Sequence, residues 1–221
     1  MTSPPPASRP SPGPAAPGVL DLAPVLPVAV IDEVAHAVPM ARALVAGGLP
    51  AIEVTLRTDA ALDAVRAIAS EVPEAVVGVG TVRTPEQTRR AVAAGARFLV
   101  SPGWTERSLA ALRESGLPFL PGVSTVSEVL TLLERGVPEM KFFPAEAAGG
   151  PAFLAALASP VPEARFCPTG GVTPERAPGY LALPNVGCVG GSWMLPREAV
   201  TAGDWDRVRR LARDAAALRT G

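Results

Sequence analysis

The sequence predicts an α/β protein folded as a single (β/α)8 (TIM) barrel, and three observations predict it. Short β-branched runs alternate with Ala/Leu/Arg-rich stretches from Ala23 onward. Each kind occurs eight times, and strand starts recur at roughly 20 to 26 residues, the length of one βα unit. No GxGxxG turn follows the first strand, where an open doubly wound sheet would carry one. A chain of 221 residues suits one such domain.

The elements follow in order. Strands are expected at Val25–Ile31, Ala51–Leu56, Val76–Val79, Phe98–Ser101, Phe119–Pro121, Met140–Phe143, Arg165–Pro168 and Gly187–Val189. Helices are expected at Glu33–Ala46, Asp59–Glu71, Pro85–Ala94, Glu106–Glu114, Val126–Glu134, Ala152–Ala158, Pro174–Tyr180 and Asp204–Leu218. Thr84-Pro85-Glu86-Gln87 reads as an N-cap, a proline in the first turn and a capping partner three residues on. Thr173-Pro174 repeats the cap-plus-proline signal.

Residues 1–18 are a run of Pro, Ser, Ala and Gly. They lack the basic start and apolar stretch of a signal peptide and the hydrophobicity to order themselves, so a disordered tail is expected before a barrel domain at 19–221. No apolar run is long enough for a membrane helix, and a cytoplasmic protein is expected. The balance of twenty basic and twenty-one acidic residues gives no footprint for nucleic acid or an anionic membrane. Cys167 and Cys188 are too few and too far apart for a disulfide framework or redox pair, and are expected to pack as small hydrophobes. His36 is the sole histidine. A histidine-rich metal site and a Ser-His-Asp triad are therefore hard to build, and acid–base work falls to carboxylates, lysine, tyrosine or water.

In a barrel, polar residues at the C-terminal ends of strands line the active site. On the second strand, period-two alternation sends Ile52, Val54 and Leu56 towards the helices and Glu53, Thr55 and Arg57 to the other face. An inward carboxylate is costly unless partnered, so Glu53 is either functional or half of a structural Glu53–Arg57 pair. The third strand ends Gly78-Val79-Gly80-Thr81, either a plain turn or a close-approach site with a hydroxyl at its mouth.

The sixth strand carries the sharpest signal. The chain has nineteen arginines and one lysine, Lys141, inside the apolar run Met140-Lys141-Phe142-Phe143. Lysine can do what arginine cannot, which is to lose a proton and attack a carbonyl. Desolvation by Phe142 and Phe143, with the Arg57 cation nearby, is expected to favour the uncharged amine. The alternative is an isolated lysine paired with a carboxylate. Thr169-Gly170-Gly171 and Gly190-Gly191-Ser192 end the last two strands, and paired glycines expose N–H groups that can surround a phosphate. Two structural turns are the plainer reading.

Together these segments closely resemble the 2-keto-3-deoxy-6-phosphogluconate (KDPG) and 4-hydroxy-2-oxoglutarate (KHG) aldolase family. The matching stretches are His36-Ala37-Val38-Pro39-Met40-Ala41, Glu53-Val54-Thr55-Leu56-Arg57-Thr58, Gly80-Thr81-Val82, Lys141-Phe142-Phe143-Pro144-Ala145-Glu146, Cys167-Pro168-Thr169-Gly170-Gly171 and Gly190-Gly191-Ser192-Trp193. The resemblance implies a class I lyase needing no metal or other cofactor. Its substrate would be a small phosphorylated keto-acid, cleaved to pyruvate and glyceraldehyde 3-phosphate in the Entner–Doudoroff route. It implies Lys141 as the imine-forming residue, Glu53 as a proton shuttle working through a water, and Arg57 and Thr81 as holders of the pyruvyl carboxylate. Phe143 would pack beside the substrate, and Gly170, Gly171, Gly191 and Ser192 would bind phosphate. Thr169 and Ser192 would choose between sugar-acid epimers. A homotrimer is implied as well. Trp104, Ala148 and the proline-rich tail depart from the family pattern. An aldolase for the galactonate epimer and a non-catalytic sugar-phosphate-binding barrel are the alternatives.

Overall fold

A computed structural model describes residues 18–219. The tail expected over residues 1–18 lies, but for Gly18, outside the described residues. The strands are β1 (Val25–Ala29), β2 (Ala51–Thr55), β3 (Val76–Gly80), β4 (Leu99–Val100), β5 (Phe119–Leu120), β6 (Gly122–Val123), β7 (Glu139–Phe142), β8 (Arg165–Pro168) and β9 (Val189–Gly191). Between them run α1 (Ala37–Ala46), α2 (Ala61–Glu71), α3 (Pro85–Ala93), α4 (Glu106–Glu114), α5 (Val126–Glu134), α6 (Gly150–Leu157), α7 (Ala177–Leu181), α8 (Arg197–Ala202) and α9 (Trp205–Ala216).

Every pairing is parallel, as alternating βα units require. The result is an α/β fold around a curled parallel sheet. Its ladders form two parts, β5-β4-β3-β2-β1-β9 and β6-β7-β8. This differs from the single eight-stranded ladder expected. Pro121, expected to end the fifth strand, has no N–H to donate; β5 stops at Leu120 before it, and a further short strand, β6, starts at Gly122 after it. Isolated bridges Phe166↔Val186 and Thr169↔Gly190 join the edges at β8 and β9.

Alternation along the strands sorts the core into two layers. Ile52, Val54, Val77, Val79, Leu99, Met140, Phe142, Phe166 and Val189 belong to the larger cluster, with the helices. Leu26, Ala51, Phe98, Val100, Leu120, Cys167 and Cys188 form a smaller one inside the curl. Both cysteines are buried there and neither is in a disulfide. A 3₁₀ turn at Val19–Asp21 inserts the fully buried Leu20 into this inner cluster. Arg165, first residue of β8, ties that turn down through Asp21 at 2.6 Å and also meets Glu139 of β7 at 2.9 Å.

Helix starts follow local chemistry. The Thr84 hydroxyl accepts from Gln87 N and the Gln87 side chain accepts from Arg83 N, with Pro85 in the first turn. Thr105 with Ser108 and Thr125 with Glu128 build full capping boxes on α4 and α5. The Thr173-Pro174 start is a correction, because α7 begins only at Ala177. A helix begun at Pro174 would put Pro178 where an N–H is required and its ring meets the carbonyl four residues back. His36 packs edge-on to Trp205 of α9, with ring centroids 5.8 Å apart. No described helix is long and apolar enough to cross a membrane.

Candidate active site

β2 and β7 each send one charged side chain into the curl. Glu53 is third in a wholly buried strand, between the outward-facing Ile52 and Val54. Lys141 lies between the outward-facing Met140 and Phe142, with its Cα registered against Gly122 and Cys167. Lys141 Nζ approaches Glu53 Oε1 at 3.2 Å, and the two side chains are 5% and 1% exposed. At that burial either charge alone would be strongly destabilising, so each makes the other tolerable. Glu53 Oε2 has no protein partner among the described residues. The carboxylate thus keeps an acceptor site for a ligand or water.

Glycine makes room for this pair. A Cβ on Gly80 would stand 2.0 Å from Glu53 Oε1 and 2.6 Å from its Cδ. The ring of Phe143 packs near the amine, its centroid 5.4 Å from Lys141 Nζ. Thr55 is also buried, and its hydroxyl donates to the Ala29 carbonyl at 3.0 Å. Thr81 follows β3 with φ of 62°, a left-handed backbone that a β-branched residue adopts only under strain. Such strain concentrates at functional positions.

Arg57 is placed differently from the sequence reading. β2 stops at Thr55, and a turn closed by Arg57 N–H donating to the Thr55 carbonyl carries Arg57 to the exposed rim. No hydrogen bond or ion pair joins it to Glu53 or Lys141 among the described residues. The buried partner of Glu53 is Lys141, not Arg57.

The ends of β8 and β9 meet through the Thr169↔Gly190 bridge. Thr169 is buried, its hydroxyl donating to the Cys167 carbonyl at 3.3 Å, and a Cβ on Gly190 would fall 2.2 Å from that hydroxyl oxygen. Gly170 and Gly171 have φ of 102° and 81°, both in the left-handed region that favours glycine. Gly191 is buried against the Trp193 ring, and Ser192 is exposed. A cleft of about 630 Å³ opens beside Ser192 and reaches Val28, whose Cα is registered with Glu53. A Cβ on Gly170 would stand 3.3 Å from the Phe143 ring, the same ring that packs near Lys141 Nζ, so this turn borders the buried pair. Glu146 and Tyr180, which meet behind the Gly170–Gly171 turn, were given no role by the sequence reading. Glu146 appeared there only as the end of the family stretch Lys141–Glu146, and Tyr180 is the only tyrosine in the chain.

A buried amine beside a carboxylate, at the C-terminal ends of parallel strands and under glycine-rich turns, defines a site for carbonyl chemistry on a small anionic molecule. The sequence matches the aldolase family described as KDPG and KHG aldolase over residues 18–211. It is 54% identical over 197 residues to the KHG/KDPG aldolase of Escherichia coli K12, covering 89% of this chain and 92% of that one. Among solved structures, the KDPG aldolase of Legionella pneumophila, with pyruvate captured as a covalent carbinolamine intermediate, superposes with a TM-score of 0.88. It is 45% identical and covers 90% of this chain and 97% of its own. The Zymomonas mobilis KDPG aldolase with 3-phosphoglycerate gives 0.85 at 46% identity, covering 91% and 94%. The chain belongs to the KDPG and KHG aldolase family.

Proposed function

We propose that this protein is a class I aldolase that cleaves 2-keto-3-deoxy-6-phosphogluconate to pyruvate and glyceraldehyde 3-phosphate, and 4-hydroxy-2-oxoglutarate to pyruvate and glyoxylate. The observation that carries the reading is the 3.2 Å approach of Lys141 Nζ to Glu53 Oε1 inside the curled sheet. Lys141 attacks the C2 ketone, and loss of water leaves a protonated imine. That imine is the electron sink the reaction needs. Glu53 takes the proton of the C4 hydroxyl, the C3–C4 electron pair moves into the imine, and the aldehyde departs. Glu53 returns the proton to C3 of the enamine, and hydrolysis releases pyruvate and restores Lys141.

Arg57 and Thr81 hold the pyruvyl carboxylate at the rim, where Arg57 is uncommitted to Glu53. Phe143 supplies an apolar wall beside the imine. Gly170, Gly171, Gly191 and Ser192 bind the phosphate, and Thr169 with Ser192 selects the epimer at C4. Rates on the gluconate and galactonate epimers test that last assignment. The two ladder parts act as one closed (β/α)8 barrel, with β5 and β6 as a single strand, in one domain over residues 19–221. The physiological setting is the cytoplasm, the assembly a homotrimer and the pathway the Entner–Doudoroff route.

The decisive experiment is reductive trapping. Pyruvate with borohydride should leave one reduced adduct, located on Lys141 by peptide mass spectrometry, and none in Lys141→Arg. Turnover surviving in Lys141→Arg would end the imine mechanism.

A further inference from the structure

After β7 the chain folds over the end of β8, and the contact is made by backbone. Ala145 N–H donates to the Thr169 carbonyl at 2.8 Å, and Glu146 N–H donates to the Gly170 carbonyl at 3.1 Å. The third carbonyl in the row, that of Gly171, accepts from Arg176 Nη1 at 3.0 Å. In a trans peptide the C=O of one residue and the N–H of the next point in opposite directions. Anchoring these three carbonyls therefore turns the N–H groups of Gly170, Gly171 and Val172 the other way. None of those three donates to a protein acceptor among the described residues.

The anchor itself is held from behind. The Glu146 side chain fills the space a Cβ on Gly171 would need, its Cγ 2.6 Å from that point. Glu146 Oε1 accepts from the Tyr180 hydroxyl at 2.6 Å, and Oε2 lies 3.5 Å from the same Arg176 nitrogen that reaches Gly171. Tyr180 is fully buried on α7. Its burial and the hydrogen bond to Glu146 hold the phenol well above its ordinary ionisation range, so it remains a donor. Nothing in the cleavage chemistry uses these side chains.

We propose that Glu146, fixed by Tyr180 and paired with Arg176, is a positioning residue that orients the Gly170–Val172 amides for the phosphate of the substrate. The proposal rests on the reading of that turn as the phosphate site. Preference for phosphorylated over unphosphorylated substrate then depends also on residues that touch neither the phosphate nor the reacting carbons.

The test compares KDPG with 4-hydroxy-2-oxoglutarate in Glu146→Ala and Tyr180→Phe, with thermal melts to confirm folding. Loss of one oriented bond should raise KM for KDPG about tenfold at unchanged kcat, while KM for 4-hydroxy-2-oxoglutarate stays put. Competitive inhibition by inorganic phosphate should weaken in parallel. Tyr180→Phe keeps the experiment decisive if Glu146→Ala does not fold. Equal rises for both substrates, or no rise for either, overturn the positioning role. If Ser192→Ala leaves KM for KDPG unchanged and phosphate does not compete with substrate in the parent enzyme, the phosphate reading itself has failed and takes this inference with it.

Discussion

Replacing Gly80 by alanine adds one methyl group and tests whether the position of Glu53 matters. The new Cβ would lie 2.0 Å from Glu53 Oε1, against a floor of 3.0 Å for real contacts, so the carboxylate must retreat by about 1 Å. It has little room, being 1% exposed and against Lys141. Overpacking of this kind costs about 1–3 kcal/mol if the ion pair moves intact, and about 3–5 kcal/mol if it breaks. For a domain of this size the milder case lowers Tm by about 2–12 °C. A misplacement near 1 Å in a reacting group costs about 10²-fold in rate. The assay is steady-state kcat on KDPG beside a calorimetric melt. Gly78→Ala is the comparison: Gly78 neighbours Glu53 in the ladder, but its Cβ would strike the Phe98 ring at 2.4 Å and not the carboxylate. It should destabilise comparably with kcat within about threefold of the parent. Full kcat in Gly80→Ala would refute the argument, since a displaced Glu53 would then be irrelevant to turnover.

Glu53→Gln should still be trapped by pyruvate and borohydride, yet lose on the order of 10² or more in kcat, because the amide cannot carry the proton. Thr81→Gly relieves the left-handed strain at φ 62° and should gain up to about 1 kcal/mol net by denaturant titration, while KM for the keto-acid rises with loss of the hydroxyl. Glu128 caps α5. Burial pushes its carboxyl upward, but hydrogen bonds from the Ser124 backbone and from Thr125 outweigh this and hold it below the ordinary value of 4.5. A depressed acid stabilises above its unfolded pKa and loses that contribution as pH falls through the folded one. The Tm advantage of the parent over Glu128→Gln should therefore be full at neutral pH, begin to shrink as pH falls past 4.5, and be gone once pH is below the depressed folded value. An advantage that persisted there would show that the charge is not what caps the helix.

The central pair was legible because its signals are compositional and local. One lysine among nineteen arginines, set inside an apolar strand, is conspicuous without any structure. Glu53 followed from strict alternation along β2. The same alternation misplaced Arg57, because periodicity says nothing about where a strand stops. Here Leu56 N–H still reaches the Gly80 carbonyl, but the next amide turns back to Thr55. The start of α7 was misread because Thr173-Pro174 is a strong local signal and Pro178 a stronger contrary one. α8 escaped notice because six residues carry too little periodicity, although Gly203, left-handed at φ 67°, marks its end. Pairing of Tyr180 with Glu146 spans 34 residues and depends on how two loops meet, which no short pattern encodes.

Lys141 and Glu53 are 88 residues apart in the chain. Bringing two points that distant together costs about 4 kcal/mol of loop-closure entropy, far more than a contact at 3.2 Å supplies net of desolvation. The meeting is therefore imposed by the strands and helices between them, in both ladder parts, and not by mutual attraction of the two side chains. Any slackening of that framework, however remote, is transmitted as a change in the gap between amine and acid. Evolution or a designer can thus detune this enzyme without altering a single residue that its substrate meets.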